Sequence, residues 1–243
     1  MQTEYAAQYR NLWQNHWWWM ARKKFVHRLI RRVYSENSTK EILDIGCGDG
    51  LFFPELEEFG RPWGVEPDAN LLSSSNPYVD RIKVEGFGPD YVAPVQFDLM
   101  VMMDVIEHIA DDAAALEHAY SLLAPKGAVV ITVPALQALW SQHDVVNQHF
   151  RRYSPSSLRD VLENSGFKIK EFGFYFGWAA FPMMMRRWLQ PAQSSNTDDV
   201  YQVTIPHPII NKSMYLMSRI EQGVQRVLPL PVGSSLFAIA EKY

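Results

Sequence analysis

The chain has 243 residues, 47% of them hydrophobic, a formal net charge of -4 and a single cysteine. That length fits one domain with a full core, with room for an insertion. The mild acidity gives no electrostatic reason to bind nucleic acid, Cys47 alone excludes an internal disulfide or a multi-cysteine zinc site, and no run of about 18 apolar residues marks a membrane span.

The start of the chain is polar and its first apolar cluster is broken by charges, so a cytoplasmic location is expected. Residues 5–34 read as one or two helices. Trp18, Ala21, Phe25 and Leu29 form one stripe, while Lys24, Arg28, Arg31 and Arg32 lie on another face. A strand over 41–45 then runs into Gly46-Cys47-Gly48-Asp49-Gly50, a bare backbone loop suited to close approach by a ligand. The third glycine comes one residue early for a dinucleotide fingerprint, and no Gly-Lys-Ser/Thr follows as a P-loop would need. Asp44 before the loop would repel a diphosphate and suits a ligand with a positive end. A second strand, 62–66, ends in Glu66, 20 residues after Gly46, where an acid can accept from both ribose hydroxyls. An adenosine-like ribose with a cationic, unphosphorylated tail describes S-adenosylmethionine. A Rossmann-like domain for another nucleoside is the alternative.

Further on, a helix is expected from Asp68, a strand at 81–84, a strand at 97–103 with a helix to Leu123, and a strand at 128–133. Ser154 and Pro155 read as the N-cap and first residue of a helix ending near Gly166. Strands over 168–174 and 235–240 follow. Alternating strands and helices predict an α/β fold, a Rossmann-like, doubly wound, seven-stranded and mainly parallel sheet. Its ligand belongs at the carboxyl ends of the strands.

Together, Asp44-Ile45-Gly46-Cys47-Gly48-Asp49-Gly50, Gly64-Val65-Glu66-Pro67-Asp68, Phe97 to His108, Leu122 to Ala128 and Gly166-Phe167 resemble the motifs of class I S-adenosylmethionine-dependent methyltransferases. The resemblance covers about residues 40–175 and the last strand. It implies a cofactor site from Asp44, Gly46, Cys47, Gly48, Gly50, Glu66, Pro67, Asp68, Gly86, Phe87, Asp104 and Val105, with S-adenosyl-L-homocysteine as product. It also implies that the helical N-terminal segment, 1–38, closes over the cofactor, with Trp17 and Arg22 reaching the acceptor; a membrane-surface helix is the second reading there. The cofactor core is 40–175, a helical insertion fills 176–230, and the final strand lies in 231–243. All of it reads as one domain.

The insertion holds an apolar stretch (178–189), a polar loop (194–199) and a helix over 211–228 striped by Ile210, Met214, Met217, Ile220, Val224 and Leu228. A cap over the cleft is expected, with a docking surface for a lipid or second subunit as the sharper reading. Asp104, Glu107 and His108 would share a helix face. That pattern is similar to the metal site of ubiquinone O-methyltransferases, with Asp for the first Glu. No metal is expected there, and His108 is expected to face the acceptor. In the 140–153 loop, His143 and His149 are candidate general bases, and Arg152 and Tyr153 candidate acceptor contacts. The expected reaction is methyl transfer to a small-molecule acceptor, at oxygen, of glycan or lipid-linked type. A non-catalytic cofactor-binding subunit and a metal-assisted O-methyltransferase are the rivals. No nucleic-acid partner is expected, and the protein would be a monomer or homodimer.

Overall fold

In a computed structural model, residues 2–36, 39–73, 75–189 and 203–243 are described. The expected 194–199 loop lies outside them. Seven strands, β1 (Lys40–Ile45), β2 (Gly60–Val65), β3 (Ile82–Lys83), β4 (Phe97–Met103), β5 (Leu123–Pro134), β6 (Lys168–Tyr175) and β7 (Ser235–Glu241), form one sheet in the order β3-β2-β1-β4-β5-β7-β6. β7 runs antiparallel to both its neighbours, and the other recorded pairs are parallel. The doubly wound sheet is therefore as the sequence predicts.

Successive strand residues face opposite ways, and both faces are covered. Ile42, Leu99, Val101 and Val130 turn to one side, against α2 (Trp17–Val33) and the short α3 (Phe53–Leu56). Leu43, Met100, Met102 and Val129 turn to the other, against α4 (Asp112–Leu122) and α6 (Pro155–Asn164). The stripe on α2 supplies much of the first layer: Phe25 stacks on Tyr175 at 4.7 Å and meets Phe237 edge-on at 5.0 Å. Each such fully buried side chain contributes about 1.5–3 kcal/mol. Of the expected stripe, Ala21, Phe25 and Leu29 are buried and Trp18 is half-buried, so this face of α2 is spent on the core.

Several local expectations change. The helix expected from Asp68 is a 3-10 turn over Ala69–Leu71, and the one expected straight after β4 is preceded by another over Ile106–His108. β3 is only two residues long, and β5 starts earlier than expected. The α6 cap is as predicted: Ser154 Oγ accepts from Ser157 N at 3.0 Å, with Pro155 at the first helical position. In the insertion, α7 (Gly177–Leu189) follows β6, and α8 (Pro208–Val224) starts and ends earlier than 211–228. α8 lies along α2, and α7 packs on the 3-10 turn Gln137–Leu139 beyond β5. No helix among the described residues is long and apolar enough to cross a membrane.

Candidate active site

The carboxyl ends of β1, β2 and β4 converge on the glycine loop. Gly46 (φ +70°), Gly48 (φ +55°) and Gly50 (φ +66°) all take left-handed backbone, which costs other residues about 1–2 kcal/mol each. A Cβ on Gly46 would also meet Val105 Cγ2 at 2.8 Å. Glu66 closes the loop. Its two oxygens accept from Gly48 N and Asp68 N, each at 2.9 Å, and the buried carboxylate keeps lone pairs for a further donor. Burial raises its pKa, and those two hydrogen bonds hold it down.

Asp44 is 1% exposed, and both its oxygens lack a hydrogen-bond partner. Burial, then the charge of Glu66, pushes its pKa up to about 8, against the pull of Arg22. A buried carboxylate without donors calls for a cationic ligand. Cys47 is buried, and burial with Asp44 and Glu66 pushes its thiol far above the usual range, so it packs rather than reacts. Its sulfur lies where a Cβ on Gly64 would be, at 2.4 Å, which explains that glycine.

Past β2, Pro67 is exposed, and Asp68 Oδ1 accepts from Asn70 N at 2.9 Å, capping its turn. Gly86 borders open space, whereas the Phe87 ring packs inward on Tyr91 at 5.4 Å. Phe87 can therefore offer a ligand its backbone, while its ring belongs to the core.

The N-terminal helices reach this loop. On α1 (Gln2–Asn15), Tyr9 lies where a Cβ on Gly48 would meet its ring at 3.2 Å, and Arg10 pairs with Asp49. Burial raises the Tyr9 hydroxyl to about 12, so it remains a donor. Tyr9 was not legible in the sequence, where only its place on a helix beside a tryptophan cluster could have drawn notice. Arg22, also buried, pairs with Asp104 and stacks over Trp18 at 4.4 Å, and its Nε is unpartnered. Trp17 is turned away into a cluster with Phe176 and Trp178, at 5.7 and 5.2 Å.

Asp104 ends β4 at φ +56°, accepting from Thr132 Oγ1 at 3.2 Å. That conformation is uncommon outside glycine and concentrates at functional sites. It also breaks the expected helical face, so Asp104, Glu107 and His108 do not stack in a row. Instead the fold brings His149 to Glu107 and His108, with one donor atom of each within 4.8 Å of the others. The His108 and His149 rings meet edge-on at 4.5 Å. Glu107 is fully buried with neither oxygen partnered; burial and then Asp104 raise its pKa well above the usual range.

The 140–153 loop holds His149 in place. Asp144, fully buried, begins α5 (Gln142–Val146) in a capping box with Ser141 and accepts from Arg152 Nε at 2.7 Å and Nη2 at 3.0 Å. It also bonds His149 Nδ1 at 2.9 Å. These donors hold Asp144 well below the usual carboxylate range despite its burial. Arg152 is thereby committed inside the loop, and Tyr153, 2% exposed, donates to Asp112 Oδ2 at 2.5 Å. Both were expected to contact the acceptor; here they brace the loop that carries His149. His143 stacks edge-on near His149 at 6.2 Å, and burial lowers its pKa.

A family model described as a methyltransferase domain matches residues 9–171. Among curated proteins, the chain is 23% identical to a ubiquinone biosynthesis O-methyltransferase of Psychrobacter arcticus over 195 residues, 70% of this chain and 72% of that protein. A protein of the same name from Parvibaculum lavamentivorans is 35% identical over 98 residues, 37% of this chain and 38% of its own. Among solved structures, a SAM-dependent methyltransferase from Archaeoglobus fulgidus superposes with a TM-score of 0.54 at 18% identity, covering 90% of this chain and 94% of that one. The [4+2]-cyclase SpnF superposes with a TM-score of 0.57 at 12% identity, covering 94% and 86%. The shared fold therefore does not by itself name a reaction.

Proposed function

This chain belongs to the methyltransferase-domain family and is an S-adenosylmethionine-dependent methyltransferase, and we propose that its acceptor is a small molecule methylated at a hydroxyl, of glycan or lipid-linked type. The cofactor brings a methyl group already activated by a sulfonium. The protein's part is to hold donor and acceptor in line, exclude water and take the acceptor's proton. In this reading Glu66 holds the ribose hydroxyls. The donor-less Asp44 takes the ammonium of the methionine end, and the unpartnered Nε of Arg22 takes its carboxylate. Tyr9 covers the loop.

The carrying observation is the Asp144–His149 pair set against Glu107 and His108 at the end of β4. Asp144 fixes the tautomer and orientation of His149, which leaves Nε2 as the base. Burial and then the charge of Asp104 raise the pKa of Glu107, which favours its neutral form. A hydroxyl acceptor needs such a base, and the O-methyltransferase names of the relatives agree with it.

A second reading has its own support. Two unpartnered oxygens on Glu107 beside two imidazoles are a plausible ligand set for a divalent ion. There the metal would lower the pKa of the acceptor hydroxyl. A panel of phenolic, sugar and lipid-linked hydroxyl acceptors, read by S-adenosylhomocysteine release with and without a chelator, separates these ideas. His149→Ala should cost about 10²–10⁴ in turnover. Turnover lost to chelator and restored by a divalent ion would favour the metal. Cofactor binding with no turnover on any acceptor would instead favour a non-catalytic binding subunit.

A further inference from the structure

α8 is committed on its inner side. Gln222 Nε2 donates to Ala21 O at 3.0 Å, Asn211 Oδ1 accepts from Trp17 N at 2.9 Å, and Ser218 Oγ accepts from Trp178 Nε1 at 3.1 Å. The outer side is apolar and open. At 100° per residue, Ile209, Ile210, Leu216, Met217, Ile220 and Val224 occupy one arc of about 120°. All six are exposed, Ile209 to 72% and Ile220 to 59%. Beyond the helix end, Val227 is 89% exposed. So contiguous an apolar surface marks an interaction site.

Charge indicates what covers it. Lys212, Arg219 and Arg226 recur at seven-residue steps, along one edge of the apolar arc. Arg28 and Arg32 of α2 add to that edge. Arg28 donates to Gln222 O at 2.7 Å, and burial followed by Arg32, Arg226 and Arg219 lowers its pKa to about 10, which reports crowded positive charge. The one acid of α8, Glu221, is turned inward to accept from Trp178 N at 2.7 Å. Glu171 is already paired with Arg32, so pairing two copies through this face would set one basic edge near the other with no acid of α8 turned outward to offset it. An anionic bilayer meets both features, since its headgroups take the cations and its acyl boundary takes the arc.

We infer that the outer face of α8 docks this protein onto an anionic lipid surface, with Lys212, Arg219 and Arg226 at the headgroups. The docked helix lies on α2, which carries Arg22, and beside α7, which touches the 137–139 turn. Docking would therefore bring the acceptor side of the cleft near the membrane.

The test is flotation of the full chain with vesicles of phosphatidylcholine alone and of phosphatidylcholine mixed with phosphatidylglycerol. Binding should appear with the anionic lipid, weaken with added salt and be far lower on the neutral vesicles. Lys212→Gln with Arg226→Gln should weaken it by about 30-fold, at about 1 kcal/mol per charge. Ile220→Asp should abolish it with the melting temperature and cofactor affinity unchanged, which keeps this test separate from the proposed reaction. No partition into anionic vesicles would overturn the inference, as would equal partition into neutral ones. A dimer that Ile220→Asp dissociates, without vesicle binding, would assign the face to a second copy instead.

Discussion

Replacing Asp44 by asparagine should make the protein more stable and a poorer binder of its cofactor. The folded carboxyl has its pKa raised from 3.8 to about 8, by burial first and then by Glu66. At pH 7 the unfolded chain has released this proton and the folded chain holds it. Taking it up costs 2.303RT × (7 − 3.8), about 4 kcal/mol at most. Asparagine removes that cost but leaves its own amide unpartnered, which returns about 1–3 kcal/mol. The net gain is about 1–3 kcal/mol, or a rise of about 2–12 °C in Tm for a chain of this length.

The sign with pH follows from the same linkage. Because the folded pKa lies above the unfolded one, the wild-type contribution is intact below about pH 4 and is lost as pH rises towards 8. The stability gap between variant and wild type should therefore be small in acid and open towards neutral pH. Calorimetric melts across that range measure it. Isothermal titration with S-adenosylmethionine should show binding weakened by about 10- to 150-fold, the worth of one hydrogen bond to a charged group. A variant that melts lower than wild type at neutral pH, or binds the cofactor equally well, would refute the reasoning.

Other expectations can be checked alongside. Cofactor binding to the wild type should release a proton from Asp44 near neutral pH, seen as a buffer-dependent enthalpy. Glu66→Ala removes the acceptor shared by Gly48 N and Asp68 N, so titration should show affinity falling about 5- to 150-fold, at about 1–3 kcal/mol for the lost bonds. Gly46→Val places a side chain against Val105 in left-handed backbone; Tm should fall and cofactor binding with it. Asp144→Asn breaks the buried pair with Arg152 and should lower stability by about 3–5 kcal/mol in denaturant melts. That contribution is present above the ordinary carboxylate pKa and is lost only in strong acid, since Asp144 is held below its usual range.

What could be read from the chain was local. Asp44, the three glycines and Glu66 lie within 23 residues, and strand, turn and strand place them together whatever the rest of the molecule does. Ser154 and Pro155 announce α6 for the same reason: a cap is a contact between near neighbours. Where pairing spans long stretches, the sequence is silent. Arg22 meets Asp104 across 82 residues, and Tyr9 meets Gly48 only because α1 folds back over the loop. Arg152 and Tyr153 read from sequence as free polar side chains of a loop, and their partners, Asp144 and Asp112, appear only in the fold. Asp104 missed its expected helix face because its φ of +56° turns the chain at the end of β4. Its side chain there meets Arg22 and Thr132, which come from elsewhere in the fold. The sequence by itself determined the fold class and the glycine loop between β1 and Glu66, because both rest on short-range pattern. Only the tertiary structure decided which side chains gather around His149 and which apolar face of the insertion stays open, because burial and ion pairing are settled by what packs against them.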